Sequence, residues 1–164
     1  MPLWRLLAFT ALLGLLVVLP VASQPPRSAP TKMPPPTKLS QPRLVPIAET
    51  KLLMEGLAQP NFQGMEKILK GEEIDADSWV FARGQALLVA ETSNLLMLRP
   101  PRNSGQDAWM KSAGELRDAA SGLAQTLASR DRVRSRSALT NLAATCNACH
   151  QAFQVKTKIT AFAP

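Results

Sequence analysis

The chain has 164 residues and a net charge of +7, with two cysteines, one histidine and no tyrosine. Of its nineteen Lys and Arg, Arg5, Arg27, Lys32, Lys38 and Arg43 precede residue 44, leaving fourteen to face the twelve acidic residues, all at or beyond Glu49. Most of the excess charge therefore belongs to the N-terminal quarter, and with no aromatic-interleaved basic patch in the rest it gives no support to nucleic-acid binding.

Residues 1–23 read as a targeting segment. Arg5 supplies a positive start, residues 6–19 are almost wholly apolar, and Val21-Ala22-Ser23 offers small residues for cleavage. The apolar run approaches spanning length, so an uncleaved anchor that tethers the chain to the membrane is the alternative. Pro20 and the small residues after it favour cleavage. No cysteine is present here to carry a lipid. The expected location is the periplasm or another exported site, at the outer face of the inner membrane if the anchor is kept. Residues 24–44 differ: eight prolines among residues 25–46, with basic and no acidic side chains before Glu49, cannot bury a core. They predict an extended linker that serves as a spacer or docks an acidic partner or anionic lipid.

Residues 45–157 predict one all-α domain of four helical segments, arranged as an antiparallel up-down four-helix bundle. In the first segment Ile47, Met54, Met65 and Ile68 share a face, Pro60 should kink or interrupt the helix around residues 58–62, and Gly71 is a natural stop. The second starts at Asp75 or Asp77 and runs to about Leu98, where Pro100-Pro101 ends it. Phe81, Gly84, Leu88, Leu95 and Leu98 lie broadly on one side of it. Gly84 in mid-helix costs about 1 kcal/mol against Ala; close approach of another group would explain it, and an uncompensated glycine is an equal alternative. The third is the clearest: Trp109, Ala113, Leu116, Ala120, Leu123 and Leu127 recur at spacings of 4, 3, 4, 3 and 4. Arg130, Arg132, Arg134 and Arg136 then read as a solvated face at the start of the fourth segment. That segment repeats the rhythm at Ser135, Leu139, Leu142, Cys146, Cys149 and Phe153, so the thiols are expected to point inward. Residues 158–164 are left as a tail.

Both cysteines and the only histidine fall in one pentapeptide, Cys146-Asn147-Ala148-Cys149-His150. Cys-x-x-Cys-His is the attachment pattern of a c-type haem. Two thiols three residues apart share a helix face and can each form a thioether to a haem vinyl group, while the adjacent imidazole serves as proximal iron ligand. One haem c is expected. Three other readings are weaker. A structural zinc wants about four N or S ligands and finds no further Cys or His. A thioredoxin-like dithiol wants a βαβ surround. A plain disulfide suits an exported chain but leaves His150 without a role.

In an up-down bundle the early part of the first helix reaches the haem end. Met54 lies there, whereas Met65 is about 16 Å further along. Met54 as distal ligand makes the iron six-coordinate and suits electron transfer. If Met54 merely packs, Leu53 and Leu57 line an open apolar site, with Phe153 also in the pocket. A haem peroxidase would want a polar distal base, and with no second histidine an enzyme is not expected.

An aromatic residue three positions after a C-terminal Cys-x-x-Cys-His, on the last helix of an all-helical domain, resembles the cytochrome c prime family. Lys70-Gly71 closing the first helix, the Pro-containing loop after the second and Trp109 opening the third match it too, over roughly residues 45–155. The resemblance implies a bundle with one covalent haem held by Cys146 and Cys149, with His150 as proximal ligand. High-spin members of that family are five-coordinate and bind NO or CO in an apolar distal pocket. Low-spin members recruit a methionine of the first helix and move electrons. Lys51 falls near the family's basic residue one turn before the distal position. Counting back from Lys70-Gly71 puts Glu55 at that position, with Met54 one residue away. Gln154 departs from the basic residue often found after the aromatic. A homodimer through the first two helices is a further implication. The expected function is electron transfer to a redox partner protein outside the cytoplasm, the alternative NO or CO binding.

Overall fold

The computed structural model describes residues 43–163, and every regular element in that range is helical. The targeting segment and nearly all of the linker lie outside the described residues. The elements are α1 (Thr50–Leu53), a π-helical turn (Met54–Ala58), α2 (Gln59–Lys70), α3 (Ala76–Met97), α4 (Gln106–Ala128) and α5 (Arg132–Ala152). Helical dihedrals persist through Leu53, Ala58 and Gln59, so α1, the π turn and α2 make one continuous rod. Four helices result, compatible with a helical bundle. None among the described residues is long and apolar enough to cross a membrane.

Pro60 does not interrupt the first helix. The irregularity falls in the turn before it, because a proline lacks the N–H and its ring crowds the carbonyl four residues back, here that of Gly56. A π turn widens the helix at that point and takes up the mismatch. The buried face of the rod is Leu53, Phe62, Met65 and Leu69, with Ile68 packed beside it. Ile47 is not on it: the chain enters the helix only at Thr50, and Ile47 is 90% exposed.

Asp75 caps α3, its Oδ1 accepting from Ser78 N at 2.7 Å and its Oδ2 from Ser78 Oγ at 3.0 Å. These donors favour the ionised carboxylate and hold the Asp75 pKa below its usual value. The side of α3 that carries Phe81, Gly84, Leu88 and Leu95 faces solvent, with Phe81 63% exposed. Its buried side is made of Trp79, Ala82, Ala86, Val89, Ala90, Ser93 and Leu96. Small side chains there let the long ones of neighbouring helices, Met65, Leu69 and Leu123, be buried completely. Thr92 and Ser93 satisfy their hydroxyls on the carbonyls of Leu88 and Val89 of their own helix.

The stripe of α4 is inward along its length from Ala113 to Leu127, and Trp109 is half-buried with its Nε1 donating to Leu96 O at 2.7 Å. Asp131 caps α5 by accepting from Arg134 N at 2.9 Å. Ser135, Leu139 and Leu142 are fully buried. The arginine cluster is not simply a solvated face. Arg136 Nη1 donates to Leu69 O and Arg132 Nη1 to Glu72 O, each at 2.8 Å, so two of its members satisfy carbonyls at and just beyond the end of α2.

Beyond α5 the chain turns back. Val155 N donates to His150 O at 2.8 Å and Gln154 N to Gln151 O at 3.2 Å, the paired bonds of a Schellman cap. Gln154 takes the left-handed position usually given to glycine, at φ 56°. Ile159, Ala161 and Phe162 then pack against the core, so the segment set apart as a tail is part of the folded unit.

Candidate functional site

Cys146, Cys149 and His150 occupy the last two turns of α5, all half-buried, with both thiols free. Cys146 packs against the core. Burial pushes its thiol up to about 11, and the neighbouring Cys149 adds to the rise. Burial also raises Cys149; a hydrogen bond with Ser112 opposes that rise and the charge of Glu115 adds to it, which places this thiol against α4. Both sulfurs are therefore neutral thiols at neutral pH. Phe153, the cap residue of α5, meets the Trp109 ring edge-on at 5.1 Å and 76°, closing this end with an aromatic pair.

His150 Nδ1 lies 2.7 Å from Thr157 O. A carbonyl only accepts, so Nδ1 carries the proton, and in the neutral ring this leaves the lone pair on Nε2. The backbone that supplies this oxygen is fixed by Asn147, whose Nδ2 donates to Ile159 O at 2.7 Å while its Oδ1 accepts from Ile159 N at 2.8 Å. Sequence reading missed Asn147, Thr157 and Ile159 as parts of the site. Their pairing depends on a chain reversal at a non-glycine residue, and no local pattern announces it.

The other predicted residues sit on the first helix. Leu53 is buried at 5%, Met54 is half-buried against the core at the start of the π turn, and Leu57 is 38% exposed outside the core. Glu55 points outward and pairs with exposed Lys51 at 3.8 Å. Two surface grooves, of about 430 Å³ beside Gly64 and Phe81 and about 330 Å³ along residues 103–108, are not lined by the pentapeptide.

The donor set suits a c-type haem. It has two free thiols three residues apart on one helix, Cys146 against the apolar core and Cys149 beside Ser112 and Glu115, and one imidazole whose Nδ1 faces a carbonyl oxygen. Among the described residues no three His, Cys, Asp or Glu side chains gather to hold a metal ion by themselves. A porphyrin brings four nitrogens of its own and needs only axial ligands from protein. Compared with known proteins, the chain matches no family model, no curated protein and no solved structure.

Proposed function

We propose that the chain is a c-type cytochrome that transfers electrons outside the cytoplasm through one haem, bonded to Cys146 and Cys149 and ligated by His150 and Met54. The observation that carries this reading is the pentapeptide itself: free thiols at Cys146 and Cys149, and a neighbouring imidazole whose Nδ1 is engaged by Thr157 O. Attachment is redox-neutral: each S–H adds across a vinyl C=C, the new S–C bond forming at one carbon and the hydrogen going to the other. The bound haem supplies a one-electron Fe(III)/Fe(II) couple, and the chain supplies its ligands and their orientation.

Contacts at the two ends support an antiparallel bundle with Met54 near the His150 end. Ala48 O accepts from Arg99 Nε at 3.1 Å, Leu96 O from Trp109, and Trp109 touches Phe153. These link the start of the first helix, the end of α3, the start of α4 and the end of α5. At the opposite end Arg132 and Arg136 reach the end of α2.

The π turn favours Met54 over Glu55. A π turn amounts to a one-residue insertion in an α-helix. Counting back from Lys70-Gly71 through it shifts the register by one, so Met54 takes the place Glu55 would hold in an uninterrupted helix. Burial agrees, with Met54 inward and Glu55 outward. Export rests on residues 1–23 alone.

The test is an optical and mass measurement on protein matured with haem. The wild type should keep one haem through acid-acetone extraction and give a low-spin spectrum with a sulfur-to-iron charge-transfer band when oxidised. Replacing Cys146 and Cys149 by Ala should abolish the extraction-resistant haem, and Met54→Leu should turn the spectrum high-spin. A colourless wild type ends the proposal. A wild-type high-spin spectrum unchanged by Met54→Leu removes that ligand and assigns NO or CO binding at a five-coordinate iron.

A further inference from the structure

We infer that residues 155–163 form a proximal strap and that Asn147 is a positioning residue for the iron ligand, setting the donor strength of His150 through the strap. The inference rests on the haem reading above and adds a role that the attachment pattern does not contain, since Asn147 occupies a position the pattern leaves open.

Three observations converge. The Schellman cap at Gln154 reverses the chain, so that the segment following α5 runs back along the helix that carries His150. Asn147 then fixes the register of the returning chain with two bonds to one residue, Ile159. A primary amide matches a backbone N–H and C=O in this way only at a single register, and Thr157 O is thereby delivered to His150 Nδ1. The far end of the strap is held separately: Glu66 accepts from Phe162 N, Lys70 donates to Ala163 O at 3.2 Å, and the Arg136 guanidinium lies 3.8 Å over the Phe162 ring.

The consequence is electronic. An imidazole whose Nδ1–H donates to a carbonyl is a stronger donor at Nε2, because partial loss of the proton raises electron density on the ring. A stronger donor favours ferric over ferrous iron, so the strap holds the reduction potential down. Releasing Thr157 O should raise it. One hydrogen bond of ordinary net strength corresponds to about a fivefold change in the reduced-to-oxidised ratio at fixed applied potential.

The experiment uses the full haem-loaded protein and two variants, Asn147→Ala and a chain ended after Gln154. Both should retain one covalent haem and show a reduced-to-oxidised ratio raised about fivefold at the wild-type midpoint. Asn147→Asp keeps the acceptor for Ile159 N and should fall between. A readout independent of haem is available because His150 is the sole histidine. In the haem-free Cys146→Ala, Cys149→Ala chain its nitrogen-15 shifts should report the Nδ1–H tautomer, and adding Asn147→Ala should return the ring to the Nε2–H form usual in water. Unchanged potential and unchanged tautomer in the Asn147 variants overturn the strap. A wild type without covalent haem, but with the Nδ1–H tautomer lost in Asn147→Ala, leaves the clamp standing and removes only its electronic role.

Discussion

Cys146 has a thiol pushed up to about 11, mainly by burial, while the same group in an unfolded chain titrates near 8.5. The folded state therefore prefers the neutral thiol. Between these values the unfolded chain has lost the proton that the folded chain keeps, so stability falls as pH rises across that window. For the haem-free protein the loss should reach about 3 kcal/mol by about pH 11. Urea unfolding at about pH 8 and about pH 11 should show it in the wild type, with a much flatter profile for Cys146→Ala. A haem-loaded sample, whose sulfurs are thioethers and cannot ionise, should also lack the Cys146 part of the slope. Equal slopes in all three would mean that the thiol is not desolvated. The pentapeptide was legible in sequence because its chemistry is local to one helix turn. The bond from His150 to Thr157 O was not, because its acceptor is a backbone atom with no residue signature.

Helices were legible in number and nearly in extent, and their faces only where large side chains do the packing. The stripe of α4 repeats Leu at helical spacing and was read correctly. On α3 the large apolar residues turn to solvent and alanines turn inward, so hydrophobicity marked the wrong side. Two mid-helix glycines, Gly84 of α3 and Gly64 of α2, should respond in opposite ways. A Cβ at Gly84 meets nothing within 4 Å, so no close approach explains this glycine. Gly84→Ala should raise stability by about 1 kcal/mol through lower unfolded-state entropy and better helix propensity. At Gly64 a Cβ would lie 1.9 Å from Gln85 Nε2, and Gln85 is buried at 8% exposure with its Oε1 unpartnered. Gly64→Ala should therefore lower stability by about 1–3 kcal/mol, because the amide can yield only by disturbing a packed helix–helix contact. Thermal unfolding of both variants checks the sign of each. A gain in both would show that α2 and α3 are not held as close as Gly64 and Gln85 place them.

Arg136 joins three parts of the molecule that are distant in sequence. It sits near the start of α5, donates to Leu69 O near the end of α2, and lies over Phe162 in the strap. Positive charge at a helix N-terminus opposes the dipole of its own helix, which made the arginine cluster read as a solvated surface. The end of α2 reverses that balance: its last carbonyls lack intrahelical donors, and its dipole is negative there. Sequence cannot display this, because the partner is a main-chain oxygen 67 residues away and its direction is set by how the helices pack. Replacing Arg136 by Met keeps most of the apolar stem and removes the charge and donors. It should cost about 1–3 kcal/mol, since a part-buried carbonyl loses a charged hydrogen bond and the aromatic ring loses its cation. Arg130→Ala should change stability by no more than about 0.5 kcal/mol, because Arg130 has no partner of this kind and is exposed. Urea midpoints for the two variants supply the comparison. Amide exchange at Phe162 should also quicken in Arg136→Met while that at Ile159, held by Asn147, stays slow. If both amides quicken together, the strap is released as one piece and Asn147 does not fix its near end independently.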